Sequence, residues 1–210
     1  MTSDVSKPLP RVVAIPGLVF SLLMIISLGI IRLAFPDVPS EQSAIKPGFG
    51  NAITLSLHLV PFAGIAFLWL LGVLRNRIGT AEDQFLGTVF LGSGLLFVAS
   101  LFGAAAVAGA VLRGTQALSI EQVGSDVYYF ARHVGYVFLN VFGIKMAGVF
   151  IISTSTIALR TAIFPRWIVF SGYACGVVLL LVISDWLWIA ILFPLWTTLV
   201  SAYILAVNRK

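Results

Sequence analysis

A lysine in the middle of an apolar segment is the residue with the clearest chemical potential. Lys145 lies near the centre of the apolar stretch 133–159. A charged side chain at the centre of a bilayer costs about 2.5–3.5 kcal/mol on insertion scales, so such a residue faces the protein interior or a hydrated cavity. Two roles are open: a charge site for an anionic ligand, proton or ion, or a structural tether to carbonyls and hydroxyls.

A few other polar residues interrupt the apolar segments and could share a site with this lysine. Asn51, Thr54 and His58 recur at helical spacing and so lie on one helix face. Asp185 is the one charged residue between 167 and 207, and it either pairs with the lysine or caps a helix. The sequence predicts one polar pocket that opens outward, formed by Lys145, His58, Asn140, Asp185, Thr54 and Asn51.

Catalytic and metal-binding motifs are missing from the sequence. The histidines are His58 and His133, with no nearby thiolate or carboxylate set that would suit zinc. Axial ligation of a haem by these two histidines is an alternative. The run Ser153–Thr156 has no histidine near it, and hydroxyls in membrane helices usually bond to their own backbone. We therefore predict no catalytic residues, no metal and no cofactor.

The composition determines which elements position these residues. Of 210 residues, 60% are apolar and only 10% are charged, and the mean hydropathy is +1.06. Soluble domains contain roughly 25% charged residues, so this chain cannot cover a water-facing surface. Disorder, an ordinary soluble enzyme and a disulfide scaffold are excluded. The prediction is an all-α, polytopic transmembrane bundle that forms a single integral membrane domain over residues 1–210.

Six membrane spans fit the apolar segments, because a bilayer core of about 30 Å needs about 20 residues per helix. Residues 167–207 are too long for one span and must fold back, with Ser184–Asp185 as the natural turn. The predicted spans cover about 12–35, 52–74, 85–112, 133–159, 167–183 and 186–207.

The distribution of basic residues predicts the orientation. Cytoplasmic loops of membrane proteins carry an excess of lysine and arginine. With the N-terminus inside, the inner side has eight basic residues, namely Lys7, Arg11, Arg75, Arg77, Arg160, Arg166, Arg209 and Lys210. The outer side has four, namely Arg32, Lys46, Arg113 and Arg132. Both termini are therefore predicted to be cytoplasmic. The basic residues form no long run, so we predict no nucleic-acid partner.

Small residues at helical spacing predict where helices pack closely, because membrane helices associate through close backbone approach. Gly172 and Gly176 form a GxxxG pattern in the fifth span. Ser100, Ala104 and Ala108 form a stripe of small residues in the third span. Packing within the bundle is the favoured interpretation, and a homodimer seam through the two glycines is the alternative.

The last third of the chain carries a family resemblance. The segments Phe164–Trp167 and Phe193–Trp196 have the sequences FPRW and FPLW, and the second precedes a basic C-terminus. This arrangement resembles uncharacterised small multi-pass membrane proteins of bacteria, particularly actinobacteria. The resemblance implies a bacterial plasma (inner) membrane protein and brings no activity with it.

The leading functional interpretation is a non-enzymatic membrane protein, either an accessory subunit or a binder of a small or lipidic ligand. Its partners would be the lipid bilayer and either another membrane protein or a second copy of the chain. The first alternative is a small solute or proton-coupled transporter that uses Lys145 as its charge site. The second alternative is a haem-binding or other membrane enzyme.

Overall fold

The structure is a computed structural model that describes residues 14–34, 50–78, 84–117, 125–182 and 187–207. Apart from the turn at 162–165 and single residues at range ends, these ranges are helical and contain no strand, which confirms the all-α prediction. The elements are α1 (Ile15–Ala34), α2 (Gly50–Ile78), α3 (Gln84–Ala117), α4 (Ser125–Tyr136), a π-helical segment (Val137–Gly143), α5 (Ile144–Thr161), α6 (Arg166–Leu181), a 3-10 turn (Leu187–Ile191) and α7 (Leu192–Val207).

Four helical stretches are long and apolar enough to cross a membrane: Gly50–Asn76, Gln84–Gly114, Asp126–Thr161 and Ile189–Val207. Two further apolar helices, Ile15–Ile31 and Arg166–Leu181, are shorter. Each predicted span overlaps one of these six helices. The proposed turn at Ser184–Asp185 lies outside the described residues.

Large apolar side chains cover the outside of the bundle. Trp69, Phe130 and Leu181 are 68%, 72% and 73% exposed. Soluble monomers rarely expose apolar side chains on this scale. The outer surface is therefore the kind that suits a lipid environment.

The helices form a closed ring around a phenylalanine cluster. Helix α1 packs against α2 and α7, α3 lies between α2 and α5, and α6 packs against α5 and α7. The cluster takes one ring from each of five helices, with centroids 4.8–6.1 Å apart, namely Phe20, Phe67, Phe97, Phe150 and Phe193. Aromatic pairs at such distances contribute about 0.5–1.5 kcal/mol each beyond area burial. The centre of the bundle is therefore filled by aromatic side chains.

Glycines bring α5 and α6 into backbone contact. A Cβ on Gly176 would lie 3.1 Å from the Gly148 carbonyl oxygen and 2.5 Å from Ile152 Cγ1. A Cβ on Gly172 would collide with Ser155 Oγ and lie 3.1 Å from Trp196 Nε1. Gly172 and Gly176 are therefore buried inside the chain's own bundle, against α5 and α7, and their surfaces are already occupied.

Replacing Gly176 with alanine is expected to loosen this contact. The Gly148 carbonyl is fixed backbone, so Gly176→Ala should lower the free energy of unfolding by about 1–3 kcal/mol. Gly72 is the control because a Cβ there meets nothing within 4 Å, and Gly72→Ala should be neutral or stabilising by up to about 1 kcal/mol. Thermal unfolding in detergent measures both. Equal tolerance of the two variants would contradict the packing argument.

Candidate functional site

The ammonium of Lys145 lies on the end of a neighbouring helix. Lys145 Nζ donates hydrogen bonds to the carbonyl oxygens of Leu179, Leu180 and Val182 at 3.0, 2.8 and 2.9 Å. The last carbonyls of a helix have no partner within it, and this end carries the negative part of the helix dipole. The lysine therefore caps the C-terminus of α6.

This cap uses the full donor capacity of the side chain. An ammonium has three N–H donors and no acceptor, and each donor of Lys145 has a carbonyl partner. Helix α6 has 16 residues and so rises about 24 Å, less than the bilayer core of about 30 Å. Capping allows such a short helix to end without exposing unpaired carbonyls to an apolar surrounding.

A π-helical segment directly before Lys145 contains Asn140. It runs from Val137 to Gly143, and the Ile144 N–H bonds back to the Leu139 carbonyl, five residues earlier. Gly143 faces Ser100 of α3, since a Cβ there would lie 3.5 Å from Ser100 Cβ. Segments of this kind occur frequently at functional sites. Here Asn140 faces a cavity, while Lys145 faces α6.

The cavity lies between α1, α3, α4 and the π-helical segment, with Val60 of α2 at one side, and has a volume of about 230 Å³. Most of its wall is apolar. The small side chains of Ala104 and Ala108 on α3 line it, so part of the predicted small-residue stripe makes space rather than a close contact. The polar lining residues are Ser27, Tyr128, Arg132, Tyr136 and Asn140.

Two polar atoms in this wall lack a hydrogen-bond partner among the residues that the structure describes. They are Ser27 Oγ and Asn140 Oδ1. Buried polar atoms are nearly always paired, and leaving one unpaired costs about 1–3 kcal/mol. A group that enters the cavity and bonds to them would recover that free energy.

A phenol and a guanidinium form the polar end of the same cavity. Tyr128 is buried and Arg132 is half-buried, one turn apart on α4. The two side chains are hydrogen-bonded to each other. Arginine recognises carboxylates and phosphates through a planar set of donors. The cavity therefore combines an apolar body, two unpaired polar atoms and one cationic end.

The helix face that carries Thr54 and His58 does not line this cavity. Thr54 and His58 line an open groove of about 660 Å³ between α2 and α3, and Thr54 Oγ1 donates to the Gly50 carbonyl at 3.0 Å. Asn51 is exposed at the start of α2. Val60 and Ala105 line both the groove and the cavity, so they form the wall between the two.

The structure thus does not bring the predicted pocket residues to one place. Asn140 lines the cavity, Thr54 and His58 line the groove, Lys145 caps α6, and Asp185 lies outside the described residues. Residues five apart in a regular α-helix already lie about 140° apart around its axis, and in the structure Asn140 faces the cavity while Lys145 faces α6.

Sequence reasoning missed Tyr128 and Arg132. Both lie between the predicted spans 85–112 and 133–159, where Arg132 counts among the outer basic residues. The available signal was the spacing of Tyr128, Arg132, Gly135 and Leu139, which repeats every three or four residues and so marks one helix face. All four residues line the cavity.

Among the described residues, no group of three histidine, cysteine or acidic side chains is placed to hold a metal ion. His133 Nδ1 is 2.9 Å from the Tyr129 carbonyl oxygen, which makes that nitrogen the donor. No family model, curated protein or solved structure matches the chain.

Replacing Lys145 with methionine tests its role as a cap. Lys145→Met removes the donors from three carbonyls at the end of α6 and should destabilise the protein by about 1–3 kcal/mol. Arg75 is exposed near the end of α2, so Arg75→Met should change stability by less than about 0.5 kcal/mol. Thermal unfolding in detergent compares them. A Lys145→Met variant as stable as the wild type, or more so, would contradict the capping role.

Proposed function

We propose that this chain is a six-span protein of a bacterial plasma membrane with both termini in the cytoplasm. Four long apolar helices and two shorter ones support the span count. Helix α6 is one of the shorter two, and the Lys145 cap allows it to end inside an apolar region. The excess of basic residues on one side supports the orientation. The resemblance of the C-terminal third to small actinobacterial membrane proteins supports the location.

Two exposed arginines at opposite ends of the bundle offer a test of orientation. In a Cys175→Ser background, which removes the single native thiol, Arg113→Cys and Arg75→Cys each supply one reporter. On intact cells a membrane-impermeant maleimide should label Arg113→Cys and leave Arg75→Cys unlabelled until the membrane is permeabilised. The reverse pattern would overturn the orientation, and labelling of both on intact cells would overturn the arrangement of spans between them.

For the activity, we propose that the protein binds a small amphipathic ligand without catalysing a reaction. The observation that carries this proposal is the coincidence of Ser27 Oγ and Asn140 Oδ1, both unpaired, with a cavity in an otherwise apolar wall. Ligand pockets are typically apolar with a few placed polar groups. The cavity has that composition.

Size and charge define the ligand class. A volume of about 230 Å³ is below the roughly 300–1,000 Å³ of drug-sized pockets. The guanidinium of Arg132 favours a negatively charged head. These properties fit a medium-chain carboxylic acid, with the chain between α1 and α3 and the head at Arg132.

The transporter alternative depends on a free ammonium at Lys145. Three carbonyl bonds leave that side chain no N–H for a ligand, and the lysine lines neither the cavity nor the groove. Ligand binding at Asn140 and Arg132 therefore has better support than charge transfer at Lys145. An accessory-subunit role would be supported by a stoichiometric partner that co-purifies with the chain.

Octanoate is a suitable probe for the cavity. Protein in nanodiscs of neutral lipid should bind radiolabelled octanoate more tightly than octylamine, because the head lies against Arg132. Arg132→Gln should weaken octanoate binding about tenfold, since a hydrogen bond to a charged group contributes about 1.5–3 kcal/mol. Octanoate has no donor for Asn140 Oδ1, so Asn140→Leu should leave its affinity unchanged but should weaken binding of 3-hydroxyoctanoate, whose hydroxyl can donate to that oxygen. Arg75→Gln, far from the cavity, is the matched control.

Two results would refute this proposal. One is the absence of saturable octanoate binding by correctly folded wild-type protein. The other is an equal effect of Arg132→Gln and Arg75→Gln, which would place the probe in the surrounding lipid rather than in the cavity.

A further inference from the structure

An open groove lies between α2 and α3 on the surface of the bundle. On α2 its lining includes Thr54, Leu57, His58 and Pro61, which occupy positions i, i+3, i+4 and i+7 and so lie on one face. On α3 small residues form most of the opposite wall, namely Ala105, Ala106, Gly109 and Ala110. Their small size leaves an open space of about 660 Å³ on the outer surface of the bundle.

The polarity of this groove changes along its length. Arg113 and Thr54 lie at one end, near the C-terminus of α3 and the N-terminus of α2, and His58 lies one turn farther in. Pro61 and Phe102 lie at the other end. Phe102 precedes Arg113 by 11 residues, or about 16 Å along a helix. The groove therefore runs from a basic, polar end near the helix termini to an apolar end deep in the bundle.

The charge of the lining residues is one-sided. Arg113 is exposed at the polar end, and none of the residues that line the groove is acidic. The apolar wall includes Phe102, which is 39% exposed, beside the exposed methyls of Ala106 and Ala110. An occupant that matches this pattern carries a negative head and an apolar chain of about 16 Å or more.

We propose that this groove is a binding site for one anionic phospholipid. Its phosphate would lie against Arg113, with His58 and Thr54 beside the glycerol region, and one acyl chain would follow α3 towards Phe102. A phospholipid in a bilayer has the same order of charge and apolarity with depth, from head group at the interface to chain at the centre. This site is separate from the cavity and does not depend on the ligand proposed for it.

The head-group contact is tested by exchanging lipid charge. Full-length protein is delipidated in detergent, supplied with phosphatidylglycerol or phosphatidylcholine of identical chains, and analysed by native mass spectrometry for retained lipid. The wild type should retain phosphatidylglycerol about fivefold better, because a basic residue near a lipid surface contributes about 1 kcal/mol. Arg113→Gln should remove this preference. Arg75→Gln should keep it.

The chain contact has its own pair of variants. Ala106→Trp fills the groove and should reduce retention of both lipids, whereas Ala99→Trp, on an exposed position of α3 outside the groove, should not. Thermal unfolding checks that both variants are folded. A lipid preference that survives Arg113→Gln, or lipid retention that survives Ala106→Trp, would overturn the proposal. A dimer that Ala106→Trp dissociates would instead identify a second copy as the occupant and would equally overturn it.

Discussion

Polar groups that are removed from water must find their partners within the chain, and in this bundle Lys145 and the end of α6 satisfy each other. An ammonium needs three acceptors, and the last carbonyls of a 16-residue helix need donors. Either group alone would be costly in an apolar surrounding. Together they form three hydrogen bonds of 2.8–3.0 Å. This contact gives α6 a defined end and holds α5 beside it, where glycines on both helices allow the backbones to meet.

The need of buried polar groups for partners also explains how most hydroxyl groups are placed, and a few polar atoms do not meet it. Thr154 and Thr197 each bond to a carbonyl four residues earlier in their own helix. Ser155 and Ser201 lack partners among the described residues, but each Oγ fills the space over a glycine of a neighbouring helix. Ser27 Oγ and Asn140 Oδ1 are different because they lie beside open volume. Unpaired polarity together with space is what distinguishes a binding site from a close helix contact.

The filled centre of the bundle determines where such space can exist. Five phenylalanine rings fill the middle of the helix ring. The open volumes lie instead towards one end, where α3 carries alanine and glycine in place of phenylalanine. One volume faces inward to Asn140 and Arg132, and the other faces outward beside His58 and Arg113. Both combine apolar walls with a basic residue, which suits amphipathic rather than fully polar ligands.

Composition and periodicity were enough to predict an all-α membrane bundle, the approximate helices and the need of Lys145 for buried partners, because these follow from local hydrophobicity and the cost of charge. They also located the glycines of α6 as close-packing positions. They did not identify the acceptors of Lys145, since the carbonyls that it bonds lie more than thirty residues away and depend on how α5 and α6 align. The pocket predicted from the sequence joins Asn140 and Lys145, whereas in the structure Asn140 faces a cavity beside α3 and α4 and Lys145 faces α6. The neighbour that each side chain meets, and the carbonyls that Lys145 reaches, depend on how the other helices pack against α5 and the π-helical segment. Both are decided by tertiary packing, which the spacing of residues along one helix does not encode.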